Sequence, residues 1–76
     1  MKKYEYTVYA SWDEDAHVWV AESEDIKGLV TEASSFDALR GKLNVLIPEL
    51  LELNGAKPSS SISYRIKSDL HQTISV

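Results

Sequence analysis

The side chains able to do acid–base, nucleophilic or metal chemistry in this chain are few and poorly spaced for it. The only histidines are His17 and His71, and there is no cysteine. Neither histidine belongs to a short metal-ligand spacing. His17 stands beside Asp13, Glu14 and Asp15, which could give a weak, opportunistic metal contact but reads more simply as a solvated hairpin. His71 falls on a predicted terminal strand, on the side away from the core. Glu22, Glu24 and Asp25 are close in sequence, yet acid–base work needs one carboxyl in a setting that shifts its protonation, and these three lie in a polar run. Ser34, Ser35 and the Ser59–Ser61 run have no neighbouring histidine to activate a nucleophile and read as cap and linker residues. Gly28, Gly41 and Gly55 are isolated, so no phosphate-cradling loop is present. The residues therefore point to no catalytic group, no metal and no cofactor.

What must position any surface site is one domain spanning residues 1–76, since 76 residues leave room for no more. Ordering such a chain costs about 1.5 kcal/mol per residue, so burial has to be efficient. A composition that is 43% hydrophobic with two prolines and three glycines allows it. Small domains without staples often enlarge their core by self-association, which points to a homodimer or homotetramer. No run approaches the roughly 20 apolar residues that span a bilayer. The start, MKKYEYTVYA, continues as alternating residues and does not read as a signal peptide, so a cytoplasmic protein is expected. The net charge is −4, and Asp13 to Asp37 holds eight acids against Lys27 alone. That half should repel phosphate backbones, and DNA binding is not expected.

Tyr4, Tyr6, Val8, Ala10 and Trp12 alternate with polar partners, the period of a half-buried strand. Asp13-Glu14-Asp15 predicts a tight turn before a second strand, in which Val18 and Val20 face the core and Trp19 faces away with His17. Glu22 to Gly28 reads as a loop with Gly28 at a positive φ, and Leu29 to Ala33 as a third strand. Ser34-Ser35-Phe36-Asp37 predicts a helix start with an acid in the first turn. Phe36, Leu39, Leu43, Leu46, Leu50 and Leu53 then recur at helical spacing. Val45, Ile47 and Leu51 widen this stripe beyond what one sheet face requires. Asn54-Gly55 supplies the stop, and Pro58 discourages a restart. Pro48 implies either a kink or a break. Ile62, Tyr64 and Ile66 predict an inward-facing strand, Ser68-Asp69 a turn, and Leu70, Gln72, Ile74 and Val76 a closing strand. The predicted fold is α+β, in the order β-β-β-α-β-β, with one long helix on one face of a mostly antiparallel sheet.

On this reading Tyr9 and Trp19 point away from the helix, where aromatics commonly centre interfaces. Trp19 is either half covered by another chain or packed against Tyr9. Self-association is expected through Tyr9 and Trp19, and contact with a basic partner near Glu22, Glu24 and Asp25.

Four segments together carry a family resemblance: Asp13 to Ala16, Val18-Trp19-Val20, Asp25-Ile26-Lys27-Gly28-Leu29 and Pro48-Glu-Leu-Leu-Glu-Leu-Asn54. Over about Tyr6 to Gly55 the chain resembles a bacterial domain family of unknown function, DUF1902, which is similar to the HicB antitoxins. That resemblance implies a degraded ribonuclease H-like fold without its catalytic carboxylates. It also implies a protein-binding role, by analogy with antitoxins that block a small basic ribonuclease toxin. The ribbon-helix-helix or helix-turn-helix segment that many HicB antitoxins append has no counterpart in these residues. The alternative is a stand-alone structural or regulatory homo-oligomer with no toxin partner.

Overall fold

The computed structural model describes residues 5–56, 61–69 and 73–75. Three strands, β1 (Glu5–Asp13), β2 (Val18–Glu22) and β3 (Val30–Ala33), precede a helix, α1 (Phe36–Leu53), and a fourth strand, β4 (Ser63–Asp69). The strands lie in the order β3-β2-β1-β4. β1 and β2 pair antiparallel, as do β2 and β3, whereas β4 runs parallel to β1.

The expected meander and covering helix are therefore present, but the sheet is mixed. A parallel neighbour needs a crossover rather than a tight turn. Here α1 provides it, carrying the chain from the β3 edge to the far side of β1. Ser68 and Asp69 continue β4 opposite Ala10 and Ser11 instead of turning. Residues 73–75 form no strand. The rest of the expected closing strand, Leu70 to Gln72 and Val76, lies outside the described residues, as do Tyr4 and Pro58.

The helix begins where the sequence indicates. Ser35 is extended at the N-cap, its hydroxyl accepts from the Ala38 N–H, and Asp37 occupies the first turn. Leu39, Leu43, Ile47 and Leu51 are its buried residues, a row at spacing four. Ile47 and Leu51 are thus the centre of the apolar stripe rather than its margin. Leu53, expected within the stripe, is 81% exposed. The helix continues through Pro48 without a break.

Val8, Ala10, Ala21 and Ala33 meet this row from the sheet, and Ile26 and Leu29 meet it from the β2–β3 connection. Ile26 is fully buried, so the loop expected to be open and polar delivers a core residue. Gly28 adopts φ +88°, and a Cβ there would lie 3.5 Å from Leu50. The Asn54 amide donates to the Lys27 carbonyl, tying the loop to the helix end.

A candidate protein-interaction face

Which side chains reach the surface follows from the first hairpin. The Asp13 carboxylate accepts from the N–H groups of Asp15 and Ala16, and the His17 N–H donates to the Asp13 carbonyl. His17 takes a left-handed φ of 57° that closes this connection. Asp13 then pairs with Val18 and Trp12 with Trp19. Opposed residues of an antiparallel pair share a face, so Trp19 lies on the helix side with Trp12. This corrects the expected facing. Trp19 stacks edge-on against Phe36 at 5.2 Å and against Trp12 at 5.7 Å, while Val18 and Val20 point the other way. The exchange suits the helix side, because an indole covers more apolar surface there than a valine would.

The side of the sheet away from α1 has no covering element among the described residues. Tyr9 and Ser11 lie on it from β1, Val18, Val20 and Glu22 from β2, Val30 and Glu32 from β3, and Arg65, Lys67 and Asp69 from β4. One row across the sheet reads Val30, Glu22, Tyr9, Lys67. Tyr9 is 48% and Val30 71% exposed, and Val18 and Val20 are half-buried. Tyr9 thus holds its expected outward position, and it shares its face with the three valines rather than with Trp19.

The expected partner-binding acids divide in two. Glu22 and Glu24 are exposed, Glu22 on the open face and Glu24 in the loop that follows. Asp25 is exposed as well, but its carboxylate accepts from the Thr7 N–H at 2.8 Å. The Ser23 hydroxyl donates to the Thr7 carbonyl and accepts from the N–H groups of Asp25 and Ile26. Where β2 leaves β1, these two side chains replace the missing strand on both backbone groups of Thr7. Asp25 therefore shapes the loop that carries Glu24. β4 adds both signs to this face, with Arg65 paired to Glu5 at 2.8 Å beside Lys67 and Asp69.

Nothing in this arrangement gathers catalytic groups. Among the described residues no three of His, Cys, Asp and Glu could hold a metal ion together. No buried side-chain nitrogen or oxygen in them lacks a partner. No helix of the described residues is long and apolar enough to cross a membrane. A shallow groove between α1 and the outer edge of β3 is lined by Thr31, Ala38, Gly41, Lys42, Val45 and Leu46. The Lys42 ammonium donates to the Glu32 carbonyl there at 2.6 Å, a charged guard on an edge strand.

Comparisons with known proteins give a family and a similar structure. A family model described as "Domain of unknown function (DUF1902)" matches residues 5–75. Comparison with curated proteins gives no match. A crystal structure of hypothetical protein TTHA1013 from the extremely thermophilic bacterium Thermus thermophilus is similar, with a TM-score of 0.80 and 41% identity. The alignment covers 93% of this chain and all of that one.

Proposed function

The chain belongs to the DUF1902 family, and on that footing we propose that it is a non-catalytic, cytoplasmic protein-binding module that captures a small basic partner. The observation that carries this reading is the sheet face that no described element covers, where exposed Tyr9 and Val30 adjoin the carboxylates of Glu22 and Glu32. Aromatic and aliphatic anchors beside carboxylates on the β2 and β3 side suit a partner that brings bases to that side, which the acids would also steer toward the site. Glu22 and Glu24 offer carboxylates to that partner, while Asp25 holds the loop in place. Resemblance to HicB antitoxins supplies the finer reading: the partner is a small ribonuclease toxin, and the sheet is a reduced ribonuclease H-like arrangement. That refinement rests on the resemblance alone.

The test is affinity capture by the tagged chain at low and high salt, beside a Glu22→Lys/Glu24→Lys variant. The reading expects a stoichiometric small basic protein, retained by the parent chain, released by salt and not retained by the variant. A basic protein so recovered is then assayed for ribonuclease activity with and without this chain. Retention of the same proteins by both forms, or of no basic protein by the parent chain, contradicts the reading. The second reading, a stand-alone homo-oligomer, is favoured by the apolar centre of this face, where exposed Tyr9 and Val30 adjoin Val18 and Val20.

A further inference from the structure

The helix ends on Asn54-Gly55, and the residues that stop it are also a reactive pair. An asparagine side-chain amide is attacked most readily by the backbone nitrogen of a following glycine, because no Cβ hinders that approach. The chain has one other asparagine, Asn44, which precedes the β-branched Val45 inside α1.

The folded cap holds the pair unreactive. The ring that would form is small and nearly flat, so it requires the Gly55 nitrogen to eclipse the Asn54 Cβ. At the observed ψ of 6° that nitrogen eclipses the Asn54 nitrogen instead. The Gly55 N–H also donates to the Glu52 carbonyl at 3.1 Å, and the Asn54 side-chain amide donates to the Lys27 carbonyl at 3.0 Å. Reaction therefore requires both bonds to open, and helix ends are among the segments that open most easily.

We propose that Asn54 is a self-modification site, converted to aspartate or isoaspartate when the C-cap opens, and that conversion unties the β2–β3 loop from the helix. The Gly55 nitrogen forms a bond to the Asn54 Cγ, the Cγ–Nδ2 bond breaks, and ammonia leaves with the proton that Gly55 gives up. Water then opens the cyclic imide at either carbonyl, leaving a carboxylate at position 54. The sum is amide plus water giving carboxylate plus ammonium, with no oxidant or reductant.

In the product the Nδ2 donor is gone, and a carboxylate faces the Lys27 carbonyl, acceptor against acceptor. It also stands at the negative end of α1, whose last turn holds Glu52 and no base. The closed cap is then disfavoured. What it held is the segment from Ile26 to Leu29, both buried, with Gly28 so near the helix that a Cβ would lie 3.5 Å from Leu50. None of this depends on what the open sheet face binds.

Peptide mass spectrometry of the purified chain, incubated at neutral pH folded and in urea, tests the proposal. Asn54 should convert in both, at least about tenfold more slowly in the folded chain, since two hydrogen bonds must open first. Leu50→Ala, which loosens the contact beneath Gly28, should quicken conversion in the folded chain and leave the rate in urea unchanged. Amide exchange reads the consequence at the Leu29 N–H, which donates to the Ile26 carbonyl at 3.2 Å. That N–H should exchange about tenfold faster in Asn54→Asp, and in parent chain aged to full conversion, while the amides of Ala21 and Leu43 stay protected. Equal rates folded and in urea overturn the proposal, as does a folded chain in which Asn54 stays intact or a Leu50→Ala chain no faster than the parent. So does a Leu29 amide whose exchange the carboxylate leaves unchanged, or raises only together with those of Ala21 and Leu43.

Discussion

At the scale of single residues, the chain substitutes side chains for backbone where its strands part. Asp25 and Ser23 satisfy Thr7 across separations of 18 and 16 residues. Asp25→Ala leaves the Thr7 N–H dependent on water and should cost about 1–3 kcal/mol, read as a lower urea midpoint with an unchanged slope. Ile26, fully buried in the same loop, should cost about 2–5 kcal/mol on truncation to alanine. The sequence made Glu22 and Glu24 legible as surface acids because their surroundings are polar. It could not separate Asp25 from them, since the deciding contact is remote. The facing of Trp19 escapes the sequence for a related reason. Its facing depends on how many residues the hairpin connection consumes, and a shift of one reverses every side chain. The left-handed His17 that fixes this number has no signal as plain as glycine.

At the scale of elements, α1 was the most legible because its cap, acid and apolar spacing agree with one another. Two residues inside it work against its own propensity. A Cβ on Gly41 would meet nothing within 4 Å, so Gly41→Ala should raise stability by about 0.5–1 kcal/mol, visible as a higher thermal midpoint. Pro48 is exposed inside the helix. Pro48→Ala should restore a donor toward the Asn44 carbonyl and raise the midpoint too, whereas an unchanged or lower one would mean that the local backbone has adapted to the ring. Conversely, Ser35→Ala removes the N-cap acceptor of the Ala38 N–H and should cost about 1 kcal/mol. The direction of β4 was not legible, because alternation in Ile62, Tyr64 and Ile66 fixes which side faces inward but not which strand lies alongside. Only the crossover length of α1 decides that, and it delivers Arg65 and Lys67 to the same face as Glu22.

At the scale of the whole molecule, the helix covers one side of the sheet and the other carries its apolar residues among separated charges. That asymmetry is the feature of the described residues on which the functional reading rests. The proposed function requires that the open face be the interaction surface. Methyl NMR measures it directly, because Val18, Val20 and Val30 report on that face while Val45 and Leu53 are exposed on α1. Spectra recorded as the captured basic protein is added, with assignments from single valine substitutions, should show shifts concentrated at Val18, Val20 and Val30, with Val45 and Leu53 unmoved. Shifts centred on Val45 and Leu53, or none at any of the five, would contradict it.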